Sequence, residues 1–156
     1  MSKEPLCLKA ALKYAEIGFF VLPIIKGKKQ PYIKYAHRRE KKPDEKEIRQ
    51  WWRKWPNANV GMVTGQESGV DTLDIDSTKA MEHLRAVAEI PDTFRYSTGR
   101  DGGMQFLFKH RPGLKSIAGV IPDVDIRTNG GITVLPPSIH KSGRQYQWID
   151  INPLEE

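Results

Sequence analysis

The spacing of hydrophobic positions changes several times along the 156-residue chain, and each change marks an element. Leu6, Leu8, Ala11, Leu12, Tyr14 and Ala15 recur at the spacing of one helix face, and Gly18 stands where a helix C-terminal cap belongs. The pattern predicts a helix over 6–17. The apolar run 19–25 predicts a buried strand. Residues 26–43 lose all periodicity, carry Gly27 and Pro31 among lysines, and predict a long loop. Asp44 with Glu47 three residues on fits a capping box, and Ile48, Trp51, Trp52 and Trp55 form the apolar stripe of a second helix that Pro56 ends. Tryptophans at helical spacing pack into a core more often than they stack on bases, so packing is expected here.

Two further apolar runs, 59–64 and 70–76, predict strands joined by a turn at 65–69. Ser77 is a good N-cap for a helix running to about Ile90, with Ala80, Leu84, Ala86, Val87 and Ile90 inward. Short β-rich segments follow at 94–97, 104–108, 124–127, 132–135 and 146–148, separated by glycine and proline. The prediction is a mixed α/β (α+β) fold with a mostly antiparallel second half. No repeat or linker divides the chain, so one domain over 1–156 is expected, with an N-terminal α/β unit over about 1–65 and a sheet module over about 66–150.

Composition narrows the class. A chain that is 38% hydrophobic and 28% charged can build one core and is too apolar to be disordered. The longest apolar run, 17–25, holds a glycine and a proline and falls far short of the roughly 20 residues a membrane span needs. The polar opening Met1–Pro5 leads into an amphipathic pattern, so a cytoplasmic protein without a membrane partner is expected. Cys7 is the one cysteine and has only four scattered histidines beside it, which excludes internal disulfides and a zinc finger. The net charge of +6 is uneven: residues 26–54 hold twelve basic side chains against four acidic ones, whereas the rest holds 13 against 15. Such asymmetry suits a polyanion, and Lys28, Lys29, Lys34, Arg38, Arg39, Arg49 and Arg53 are the candidates to meet it. A solvated face is the competing reading of the same run.

The candidate chemistry lies in paired aspartates. On a strand over 70–76, Leu73 and Ile75 point one way while Asp74 and Asp76 point the other, about 6.6 Å apart along the strand. Same-face carboxylates repel unless a cation joins them, and carboxylate oxygen suits hard ions such as Mg²⁺ or Mn²⁺. The pattern repeats in 123–127, where Val124 and Ile126 face inward and Asp123, Asp125 and Arg127 share the polar face. Acid pairs on two strands suit a two-metal site that clamps attacking and leaving oxygens. A lone pair of this kind is more often a turn or a helix cap. The segment 97–105 supplies Ser97, three glycines including Gly102 and Gly103, and Arg100, a composition that lets backbone N–H groups approach phosphate. It lacks the lysine and helix start of a Walker loop. The turn after Pro136-Pro137 presents Ser138, His140 and Lys141.

Taken in order, these segments resemble the N-terminal primase-polymerase domain of replication proteins from phages, plasmids and other mobile elements, a branch of the archaeo-eukaryotic primase superfamily. The residues that carry the resemblance are Ala11-Leu12-Lys13-Tyr14-Ala15 and Gly18, Lys29-Gln30-Pro31, Ile48, Trp51-Trp52, Trp55 through Gly61, Thr64-Gly65 and the Pro136-Pro137-Ser138 turn. The resemblance implies an RRM-like sheet packed with an N-terminal α/β unit and an active site in the cleft between them. It implies Asp74, Asp76 and Asp125 as catalytic ligands of two Mg²⁺ or Mn²⁺ ions. It also implies a nucleotide motif over Gly102 to Gln105, with Arg127, Ser138, His140 and Lys141 further candidates to contact a (d)NTP. Its partners would be a single-stranded DNA template and primer, with a helical accessory region and a helicase in longer relatives. The family's histidine position holds Gln105, which can donate a hydrogen bond to phosphate but carries no charge. A working variant, a degenerate domain that only binds nucleotide or DNA, and an engineered change all remain open. A metal-dependent nuclease shares the carboxylates but gives no reason for the glycine-rich turn.

Overall fold

The computed structural model describes residues 4–155; the polar opening at 1–3 and the last residue lie outside the described residues. Helix α1 (Leu6–Glu16) buries Leu8, Ala10, Ala11 and Tyr14. It stops at Gly18, which adopts φ +102°. The Phe19 N–H donates to the Tyr14 carbonyl and the Gly18 N–H to the Ala15 carbonyl, the paired bonds of a Schellman cap. Strand β1 (Val21–Ile24) is buried throughout. A single 3₁₀ turn, Ala36–Arg38, interrupts the expected loop. Helix α2 (Glu45–Lys54) is capped by Asp44, whose side chain accepts from the Glu47 N–H. Only that half of the capping box forms, because the Glu47 carboxylate turns to Arg38 instead.

Strand β2 (Asn59–Val63) pairs antiparallel with β1 and with β8 (Ile132–Val134), so the first sheet takes one strand from the far half of the chain. The turn after β2 does lead to β3 (Val70–Ile75), but β3 belongs to the second sheet. That sheet has six strands in the order β6-β7-β3-β5-β4-β9, all antiparallel: β4 (Arg95–Ser97), β5 (Met104–Lys109), β6 (Ile117–Ile121), β7 (Val124–Arg127) and β9 (Gln147–Ile149) complete it. Strand β6 is the element that periodicity did not predict. It is an exposed edge whose apolar residues follow no alternation, and its register breaks between Ile117 and Ile121.

The main core joins α1, α2 and the first sheet to one face of the second sheet through Tyr96, Leu107, Tyr146 and Trp148. Trp51 and Trp52 are buried in it, as packing requires. The aromatic hydroxyls are paired: Tyr14 donates to the Pro136 carbonyl at 2.6 Å and Tyr96 to the Val134 carbonyl at 2.7 Å. Helix α3 (Thr78–Val87) covers part of the other face with Ala80, Met81 and Leu84. It is shorter than expected, and Ala86 and Val87 point to solvent in its last turn, with Val87 74% exposed. No helix among the described residues is long and apolar enough to cross a membrane.

Candidate active site

Strand pairing aligns one row of residues across five strands: Asp125 on β7 opposite Asp74 on β3, Asp74 opposite Gln105 on β5, Gln105 opposite Tyr96 on β4, and Tyr96 opposite Trp148 on β9. A sheet's side chains alternate faces, so the whole row points towards the first sheet. Its aromatic end enters the core. Its acidic end opens into a cleft of about 330 Å³ whose opposite wall is β8, with Ile132, Thr133 and Val134. Lys29, Thr98, Arg100, Arg127, His140, Lys141 and Tyr146 complete the lining.

Carboxylate oxygens of Asp74, Asp76 and Asp125 all lie within 4.8 Å of one another. At that separation each pair repels by about 3 kcal/mol at an effective dielectric constant near 20. Asp74 is the most enclosed, with 3% of its side chain exposed, and burial raises its carboxyl above the usual aspartate range. Arg127 opposes that rise, whereas Asp76 and Asp125 add to it. The Arg127 guanidinium stands 3.2 Å from Asp74 and 3.6 Å from Asp125, and Arg100 stands 3.7 Å from Asp76. One oxygen of Asp125 also accepts the Gly119 N–H at 2.7 Å, so the irregular edge strand β6 fixes the direction of this carboxylate. Three oxygen-donor side chains facing two arginines keep a negative excess, and this donor set fits a hard divalent cation. Asp123 is not in the group. It occupies the β6–β7 turn at φ +63°, where its carbonyl accepts the Asp76 N–H.

Gln105 is buried, and its Oε1 accepts from the Thr133 hydroxyl at 2.7 Å. This leaves its amide nitrogen as the atom it can offer a ligand. At His140, the Ser142 N–H donates to Nδ1, which places the ring proton on Nε2. Burial, Lys141, Lys29 and Arg100 all hold the imidazole pKa below its usual value, so the ring is neutral near pH 7. Tyr146 keeps its proton: burial and then Asp74 push its pKa up to about 12.

Not every residue singled out in the sequence reaches this cleft. Ser97 pairs with Met104 and Gln147 in the neighbouring row, which faces away from the aspartates; Thr98 lines the cleft instead. Ser138 is fully buried, accepting from the Val60 N–H and donating to the Val60 carbonyl, and so ties the 136–140 turn to β2. Gly102 and Gly103 give the β4–β5 turn its shape. A Cβ at Gly102 would lie 2.5 Å from the Thr78 backbone nitrogen, and one at Gly103 would lie 2.3 Å from Thr98 Oγ1. Of the basic run, Lys28 and Lys29 border the cleft mouth beside His140 and Lys141. Arg38 grips Glu47 through two bonds of 2.5 Å, Arg39 pairs with Glu67, and Arg49 pairs with Glu4 and Glu45. Lys34 and Arg53 are exposed and make no ion pair among the described residues. Sequence reasoning passed over Thr133, Tyr146 and Gly119 as site residues. The only signal for Thr133 was a polar residue inside an apolar strand, and Gly119 had none, since its N–H acts through a strand that was not predicted.

Residues 11–156 match the family model described as bifunctional DNA primase/polymerase, N-terminal. No curated protein matches the chain at a significant level.

Proposed function

Since this chain belongs to the family of bifunctional DNA primase/polymerase N-terminal domains, we propose that it joins nucleotides on a DNA template, with Asp74, Asp76 and Asp125 as the metal-holding carboxylates of the reaction. The observation that carries this reading is the convergence of the three carboxylates, brought together by two adjacent strands, at a cleft that Lys29, Arg100, Arg127 and Lys141 also line. Mg²⁺ or Mn²⁺ bound there would neutralise a triphosphate and sharpen a 3′-hydroxyl as nucleophile. The chain's own residues do the rest. Arg127, Arg100, Lys29 and Lys141 line the cleft and offer the triphosphate positive charge. Gln105 offers an amide N–H, and neutral His140 and Tyr146 add uncharged donors that orient phosphate or sugar. The enclosed floor around Asp74 and Thr133 excludes water from the reacting centre. The setting implied by the resemblance is replication of a phage, plasmid or other mobile element, beside a helicase or helical accessory region.

Substituting Asp74 and Asp76 together by alanine is expected to cut primer extension in Mn²⁺ by about a thousandfold or more, since several kcal/mol of transition-state stabilisation go with the metals. Extension at the wild-type rate by a folded double variant would overturn the assignment. Gln105 favours a second reading, a domain that binds nucleotide and DNA but turns over weakly. The pair of wild type and Gln105→His separates the two: faster extension by the histidine variant shows a working but attenuated site, whereas template binding without extension by either shows a binding module.

A further inference from the structure

The face of the six-stranded sheet that looks away from the aspartates carries a second groove. Six strands at about 4.8 Å spacing span roughly 24 Å, more than twice the width of one helix. Helix α3 packs over the β7-β3-β5 side with Ala80, Met81 and Leu84 and leaves the β5-β4-β9 side uncovered. The result is an open groove of about 690 Å³. Met81, Met104 and Ile149 give it apolar surface, Ser97 and Gln147 give it neutral polar groups, and Arg85, Arg100 and Arg144 are its only charged residues. No acidic side chain lines it. Among the described residues Arg85 has no ion-pair partner, and Arg144 meets only the fully exposed Asp101, at 3.9 Å.

We propose that this groove is a binding site for single-stranded nucleic acid and carries the template as it leaves the catalytic cleft; the proposal rests on the functional reading above. Three arginines around apolar surface match an unpaired strand: its phosphates need cations, and its exposed bases gain by burying apolar area against Met81, Met104 and Ile149. A duplex offers the phosphates but keeps its bases stacked inside. The position fits as well. Arg100 lines both the groove and the cleft from the β4–β5 turn over 98–103, so a strand that passes round this end of the sheet from one face to the other can keep a phosphate on Arg100. Among the described residues Arg85 and Arg144 lack close internal partners and Arg100 meets Asp76 only at 3.7 Å, in contrast to Arg38, Arg39 and Arg49, which are held by glutamates.

The test is binding of a fluorescein-labelled 20-mer single strand to the whole chain, followed by anisotropy over a series of salt concentrations without nucleotide. The double variant Arg85→Ala/Arg144→Ala touches neither the aspartates nor the core. It is expected to lose about tenfold in affinity, and its slope of log affinity against log salt is expected to shrink by about 1.4, two contacts at about 0.7 each. Affinity for Mn²⁺ with a nucleotide is expected to stay at the wild-type level. Unchanged strand affinity and slope would overturn the proposal, as would a loss confined to nucleotide affinity, which would make the groove a nucleotide pocket. An equal loss for blunt duplex would overturn the single-strand specificity. The assay needs no catalysis: a wild type that binds the strand through these arginines but never extends a primer removes the polymerase reading and leaves the groove standing.

Discussion

Two regions stand out by charge in the sequence, the basic run over 26–54 and the aspartates of 74–76 and 125, and the fold treats them in opposite ways. The aspartates are gathered: strands β3 and β7 bring oxygens from three carboxylates within 4.8 Å with only two arginines beside them. The basic run is dispersed. Arg38, Arg39 and Arg49 find glutamates at 2.5–3.0 Å, and only Lys28 and Lys29 border the cleft. A strand's period of two fixes which face each residue takes, and pairing with a neighbour fixes its opposite number. A loop offers no such rule, so its long side chains turn to whatever counter-charge the fold supplies. Clustered like charge that persists after folding therefore says more about function than clustered like charge in the sequence.

The largest effect that separates the two regions is expected at Asp125. Asp125→Ala should reduce primer extension by about a thousandfold and weaken Mn²⁺ binding in an electron paramagnetic resonance titration, while single-strand affinity stays put. Intact Mn²⁺ affinity would remove Asp125 from the metal-holding group. Arg38→Ala is expected to do the reverse: it leaves Glu47 without its two-pronged partner in a partly buried setting and costs about 2 kcal/mol of stability, read by urea unfolding. Its effect on strand affinity should stay within twofold. A tenfold loss of strand affinity at unchanged stability would return Arg38 to the template surface and break the contrast. Ser138→Ala is expected to cost about 1–2 kcal/mol, because the Val60 N–H and carbonyl lose their partner in the core. The KM for nucleotide should not change; a raised KM at full stability would make Ser138 a ligand-contacting residue.

The same logic explains what was legible before folding. Gly18, Asp44 and Ser77 announced helix ends through chemistry local to one turn, and all three act as expected. The alternation around Leu73 and Ile75 put Asp74 and Asp76 on the face opposite the α3 layer. Asp123 obeyed the same alternation on paper but sits in the turn just before β7, where a left-handed conformation takes it off the strand face. Ser97 failed through its parity: it is one residue from Tyr96, so it belongs to the other face, and the cleft receives Thr98. Ser138, Thr133 and Gly119 take their roles from contacts 78, 28 and 6 residues away, partners that the local pattern does not specify. The groove behind the sheet was illegible for another reason. Arg85, Arg100 and Arg144 are far apart in sequence and belong to no run of basic charge, so nothing local announces that they share one groove.

The smallest and sharpest consequence of gathering carboxylates is in stability. In the folded chain, burial holds the Asp74 carboxyl above the value it has when unfolded, with Asp76 and Asp125 adding to the rise against Arg127. A raised carboxyl pKa contributes stability that is fully present at pH values below the unfolded aspartate range, near 3.9, and is lost as pH climbs through the folded value. The metal-free protein therefore carries a strain at neutral pH that Asp74→Asn relieves. The melting temperature of the asparagine variant should match the wild type at the acid end of a series from pH 4 to pH 8 and exceed it above the raised pKa, by roughly 2–4 °C for each kcal/mol relieved. Mn²⁺ should raise the wild-type melting temperature and close the gap, because an ion that binds only the folded state stabilises it. Parallel melting curves for the two proteins across the whole series would show that Arg127 already balances the cluster, and the contrast with the basic run would then be one of position and not of unresolved charge.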